Sequence, residues 1–161
     1  MESTSDLLES LSRSPAILAG LVKSIPADRM TLRRGQDFWT IAEHVSHLAK
    51  VQPMLLGRIE RFIAEDHPEF VPFIPEGHDE RTEVQLDAKT ALEQFSTYRD
   101  RQVALLKGVD EAAWNKTATH PEYDQYSLSI LGRHILMHDF WHMYRIEELW
   151  LTRDAFLTKL D

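Results

Sequence analysis

The 161-residue sequence contains no cysteine. That rules out a disulfide framework, a thiolate metal site and a cysteine nucleophile. Glycine and proline are scarce, at 6 and 7 residues, while 43% of residues are hydrophobic, a balance that favours an ordered, helix-rich chain. Positive charge is in deficit: 18 Lys and Arg face 26 Asp and Glu, for a net charge of −8. A chain this acidic lacks the basic face that a nucleic-acid backbone demands. No apolar run approaches the ~18 residues of a membrane span. The opening MESTSDLLES has neither the basic segment nor the apolar core of a signal peptide. The expectation is a soluble cytoplasmic protein that binds neither nucleic acid nor membrane. Internal repeats, low complexity and strand-like alternation are missing as well.

Helical periodicity dominates what remains. Leu7, Leu8, Leu11, Leu18, Leu21 and Val22 mark a first helix, kinked or delayed by Pro15 and ended by Ile25-Pro26. A second begins at Thr40-Ile41-Ala42-Glu43, a capping-box pattern with Trp39 as the preceding apolar residue. Its buried row runs Ile41, Val45, Leu48, Leu55, Ile59, Phe62, Ile63, and Pro53 within it predicts a bend that robs a carbonyl one turn back of its donor. Residues 67–80 hold three prolines and read as an ordered loop lying on the bundle. A third helix follows Asp87, with Ala91, Leu92, Phe95, Tyr98, Leu105 and Leu106 inward and Gly108 as its C′ stop. After a turn at Asp110–Trp114, residues 115–126 read as a polar loop. Ser127 or Ser129 then caps a last long helix, and a tail helix is expected at 154–160. The fold class predicted is all-α: one domain of residues 1–161, a four-helix bundle with long connections.

The last helix carries His138-Asp139-Phe140-Trp141-His142. At about 100° per residue, Leu131, Ile135, His138, His142, Ile146 and Leu149 share one stripe about 80° wide. The two imidazoles therefore stand one turn apart inside an apolar seam, where their nitrogens are costly unless satisfied. A transition metal satisfies them well. Two ligands rarely suffice, so a third histidine from a facing helix is expected, giving an open three-histidine site of the catalytic type. His44 and His47 on the second helix are the candidates. The wheel puts His44 about 90° from the early apolar stripe and His47 nearly opposite it, so periodicity favours His44. His134 lies at the edge of the last helix's stripe, and His67, His78 and His120 fall in loops, where exposure is expected.

The segments FWTIAEHVSHLAK and ILGRHILMHDFWHMYRI resemble the DinB-like family of four-helix-bundle metalloenzymes. In that family a Trp-Ser/Thr pair opens the second helix and a His-Leu eight residues on supplies the first ligand. Here the equivalents are Trp39-Thr40 and His47-Leu48, so the resemblance favours His47 and makes His44 a neighbour of the ligands or part of the pocket wall. The other two ligands come from H-x3-H on the last helix, matching His138 and His142, with an acidic residue often following the first, as Asp139 does. The resemblance implies metal ligands His47, His138 and His142, with zinc or nickel the expected ion. One departure stands out. Family members often carry Gln-Ile three residues after the last histidine, where this chain has Arg145-Ile146.

Asp139, His44, His134 and Arg145 are the candidate catalytic residues. Asp139 can accept a proton from a ligand imidazole or bridge two helices as an ion pair. Arg145 can bind an anionic substrate, extend outward or pair with Glu148. The resemblance implies a divalent-metal-dependent hydrolase or thiol transferase acting on a small molecule. The alternative is a metal-stabilised bundle without catalysis, acting as a binding or dimerisation module; a homodimer is expected from the bundle type. Ferritin-like di-iron chemistry needs Glu-x-x-His pairs that neither helix supplies. The zincin motif H-E-x-x-H would have Asp in place of its Glu base and only 19 residues left for a downstream ligand.

Overall fold

The structure, a computed structural model, describes residues 4–72 and 84–159. Its elements in order are α1 (Thr4–Ser24), α2 (Ala27–Met30), α3 (Ile41–Lys50), α4 (Gln52–Ala64), α5 (Ala88–Lys107), α6 (Glu111–Trp114), β1 (Thr117–His120), β2 (Tyr123–Ser127) and α7 (Leu128–Leu151), with a 3-10 turn at Asp154–Phe156. Four long arms make an all-α bundle: α1, the bent pair α3–α4, α5 and α7. Both α1 and α3–α4 pack against α5 and against α7, so the first two arms in sequence stand diagonally opposite each other. This is not the simple up-down-up-down order.

Local chemistry sets the boundaries. At Thr40 the capping box is complete: Thr40 Oγ1 accepts the Glu43 N–H at 3.2 Å, and Glu43 Oε2 accepts the Thr40 N–H at 2.6 Å. Asp87, Asp110 and Ser127 each accept the backbone N–H three residues on and so cap α5, α6 and α7, without the reciprocal bond. Pro15 lies inside α1 without ending it; the Leu11 carbonyl that Pro15 cannot reach accepts the Ser14 hydroxyl instead at 3.1 Å. Pro53 splits the second arm at Val51, and the orphaned Ala49 carbonyl accepts Gln94 Nε2 from α5 at 3.0 Å. The far end of α7 is held by Arg34, which donates to the Leu149 and Thr152 carbonyls at 2.5 and 2.7 Å. Close approach of α1 to α7 requires Gly132, where a Cβ would lie 3.1 Å from Leu7.

Several expectations are corrected. Residues 115–126 are not a plain loop: β1 and β2 pair antiparallel, and Glu69 of the preceding segment bridges to Thr119. The polar composition of TATH and YDQYS hid the pattern, because in β1 only alternate residues, Ala118 and His120, turn inward. Gly108 ends α5 in right-handed conformation (φ −86°) and not as a left-handed C′ residue. Tyr98 and Leu105 are half-buried, while Arg99, Gln102 and Val103 take the inward positions. The tail forms a single 3-10 turn at Asp154–Phe156, and of the proline-rich loop only residues 67–72 are described. The expectation for its remainder, His78 included, lies outside the described residues.

The core has two apolar halves. One gathers Leu11, Ile59, Phe62, Leu106, Leu128 and Ile135 near the hairpin. The other gathers Leu18, Ile41, Leu48, Phe95, Ile146 and Leu149 at the opposite end. Between them every arm contributes buried polar groups: Ser14, Gln52, Arg99 with Gln102, and Asp139. Arg99 holds Asp139 through both carboxylate oxygens, at 2.5 and 3.1 Å, and also donates to Ser14 (2.8 Å) and Gln102 (2.9 Å).

Candidate metal centre

The histidines meet at the level of that polar layer. His47 sits near the end of α3, placed by the Thr40 cap seven residues earlier. His138 and His142 follow one another on α7. Nε2 of His47 lies 3.1 Å from Nε2 of His138, which lies 3.2 Å from Nε2 of His142. Each of the three offers a nitrogen within 4.8 Å of the others. Two nitrogens bound about 2.0–2.1 Å from one ion at a tetrahedral angle stand roughly 3.3 Å apart. The donor set, three imidazoles with no carboxylate, therefore fits a divalent transition metal in both chemistry and spacing.

The surroundings keep the two rings of α7 neutral. Burial, followed by the neighbouring charges of His47 and Arg99, lowers His138 to about 4. His142 is lowered further, by burial first and then by His138, His47 and His44. Ligation needs neutral imidazole, so burial prepares the site. His44 stands behind His142, its Nδ1 2.8 Å from His142 Nδ1. Burial and then Arg145 lower His44 to about 3, so it is an uncharged partner for the ring nitrogen that faces away from the cluster. Trp39, immediately before the helix cap, packs its indole on His44, His47 and His142 at 5.1, 5.2 and 5.9 Å. His44 is the residue that a staple from that position reaches.

Two clefts flank the cluster. The first, about 490 Å³, has His47 and His138 at its inner end and runs between α4 and α7 to the hairpin, with Arg58, His120, Glu122 and Tyr126 at its outer end. The second, about 360 Å³, lies on the His44 side among Trp39, Trp141, Arg145 and Lys159.

The candidate catalytic residues are dispersed. Asp139 does not serve an imidazole; its carboxylate is committed to Arg99, the helix-to-helix ion pair. Burial raises its pKa against the pull of Arg99. Arg145 pairs with Glu148 and donates to the Thr158 carbonyl at 3.1 Å, yet still borders the second cleft, with Nε buried and unpartnered among the described residues. His134 stays outside the three-histidine group and packs at a tilt against Tyr123, the ring centroids 5.1 Å apart. His120, expected at the surface, is buried beside Tyr126; His67 is exposed as expected. Sequence reasoning missed Arg99, although a signal existed. It stands four residues after Phe95 and seven before Leu106, on the inward row of α5, where an arginine demands a buried partner.

Residues 10–146 match the DinB superfamily. No curated protein matches the chain. Among solved structures, YfiT from Bacillus subtilis superposes with a TM-score of 0.77 at 22% identity, covering 92% of this chain and 86% of that one. YfiT is described as a probable metal-dependent hydrolase with an unusual four-helix bundle topology. At that identity the likeness speaks for the fold.

Proposed function

This chain belongs to the DinB superfamily, and on that premise we propose that it is a divalent-metal-dependent enzyme with His47, His138 and His142 as ligands. The observation that carries the reading is the convergence of three Nε2 atoms beside a 490 Å³ cleft that two of the rings, His47 and His138, line. A structural ion would be closed off by protein, whereas this cluster borders space of the size that small-molecule sites occupy. A zinc or nickel ion held there supplies Lewis-acid chemistry, acidifying a water or thiol and polarising an electrophile. The chain's own residues do the rest. His44 orients His142, Trp39 covers the cluster, and the apolar walls of the cleft exclude water.

Hydrolysis is the reaction favoured by the description of YfiT. Thiol transfer is supported by the lining of the cleft, where among the described residues the one carboxylate, Glu122, stands at the outer end. An acidified thiol needs no carboxylate base beside it. Elemental analysis of the purified protein and of His47→Ala, His138→Ala and His142→Ala is the first test. Each variant should lose the metal while keeping its helicity; retention of metal in any of them removes that ligand from the site. Loaded protein is then assayed for ester and amide hydrolysis and for thiol conjugation to model electrophiles, and inactivity throughout would sink the enzyme reading.

One observation favours a second reading, a binding or dimerisation module. Met137, Phe140, Trp141, Tyr144 and Leu151 of α7 are all exposed and lie along its outer side. Pairing through this row predicts a homodimer in sedimentation equilibrium. In the non-catalytic form of this reading, chelation lowers the melting temperature sharply and abolishes no activity.

A further inference from the structure

The first cleft has a graded lining. From its inner end, His47, Val51, Leu55 and Arg58 follow one another along the second arm, and His138, Ile135 and Leu131 do so along α7. Leu131 precedes His138 by seven residues, about 10 Å along the helix axis. The histidine cluster is thus followed by an apolar passage and then by a cation. Arg58 donates to the Val71 carbonyl at 3.0 Å and stands 3.5 Å from the Tyr126 hydroxyl. Its guanidinium lies over the Phe70 ring at 5.4 Å. Among the described residues it has no carboxylate partner. The other titratable groups at this end are His120, His134, Tyr123, Tyr126 and Glu122. Burial holds both imidazoles below the usual histidine range and pushes the Tyr126 hydroxyl up, so these three groups add no charge beside Arg58 at neutral pH. Glu122 is exposed.

We infer that the cleft takes an elongated, anion-terminated substrate, its reacting ester or amide at the histidines, an apolar segment between α4 and α7, and a terminal carboxylate on Arg58. The inference rests on the proposed metal-dependent activity for the reacting end alone. A carboxylate meets the planar fork of an arginine with two charge-assisted hydrogen bonds, and the aromatic rings around Arg58 limit competing water. Arg58 is then the residue that determines specificity at the tail.

The test uses zinc-loaded protein and eight-carbon probes. In calorimetry, monomethyl suberate should bind about tenfold or more tightly than dimethyl suberate, the worth of one charge-assisted contact. Arg58→Gln should abolish that preference, Arg58→Lys should keep part of it, and Glu122→Gln should widen it. Equal affinities, or a preference that survives Arg58→Gln, would overturn the assignment; so would its loss in Arg58→Lys to the same extent as in Arg58→Gln. Helicity and metal content verify that the variants fold. In turnover, the p-nitrophenyl monoester of suberate should have a lower KM than p-nitrophenyl octanoate, and Arg58→Gln should bring the ratio of their kcat/KM values near one. Binding that depends on Arg58 without turnover of either ester would count against the reaction class and leave the cleft assignment standing. Turnover without discrimination would do the reverse.

Discussion

His142 engages both ring nitrogens, Nε2 toward His138 and Nδ1 toward His44. With Nε2 given to a metal, the proton must sit on Nδ1 and be donated to His44, whose own proton then occupies Nε2. Replacing His44 by Phe removes that acceptor and keeps an aromatic ring under Trp39. The expected outcome is a 10- to 100-fold loss of metal affinity, read by competition with a chromogenic chelator, with the three ligands still binding. Acid should act on the same rings. His44 and His138 titrate near 6.5 in the unfolded chain but at about 3 and about 4 in the folded protein. Between those values the unfolded chain holds more protons, so their contribution is complete above pH 6.5 and fades as the pH falls toward 4. The melting temperature of metal-free protein should decline through that window. A flat profile between pH 7 and 4 would contradict it. Which histidine of α3 joins the cluster was not legible from periodicity. Both histidines lie in α3, ahead of the break at Val51, and periodicity places His44 deeper, as it is, at 3% exposure against a half-buried His47; depth alone does not say which ring turns to His138. Both rings end up beside His142, at centroid distances of 5.0 Å for His44 and 4.5 Å for His47.

The bend between α3 and α4 shows how an element is maintained across a defect. Pro53 withholds an N–H from the Ala49 carbonyl, and Gln94 of α5 replaces it. Gln94→Leu should therefore destabilise the protein by about 1–3 kcal/mol, the cost of a stranded buried acceptor. Pro53→Ala should rescue much of that loss by restoring the intrahelical donor, which chemical denaturation of the two single variants and the double variant would reveal. The caps read from the sequence held: Thr40 and Ser127 each accept the backbone N–H that their side chains advertise, and α5 begins directly after Asp87 as expected. The hairpin was not readable. β1 and β2 are short, and their pairing with each other and with Glu69 depends on the bundle surface beneath them.

At the scale of the molecule, the four arms meet through a polar layer, and its ion pair is fully enclosed, with Arg99 and Asp139 each 0% exposed. Removing one partner, as in Arg99→Met or Asp139→Leu, should cost about 3–5 kcal/mol by stranding the other charge. The double variant should recover most of it, and a double-mutant cycle in urea measures the coupling. Recovery confined to less than a third of the single-variant loss would show that the layer acts through Gln52 and Gln102 more than through the pair. The diagonal placement of α1 and α3–α4 could not be foreseen, because helix periodicity says which face is buried and not which neighbour buries it. The enclosed pair has one more consequence. Helices with uninterrupted greasy seams can slide past one another by a turn at little cost. Here a slide of α7 by one turn would carry Asp139 away from Arg99 into hydrocarbon and draw His138 and His142 off His47 at the same moment. The same lock that fixes the height of the last helix thus sets the spacing of the imidazoles, and faulty assembly carries its own penalty.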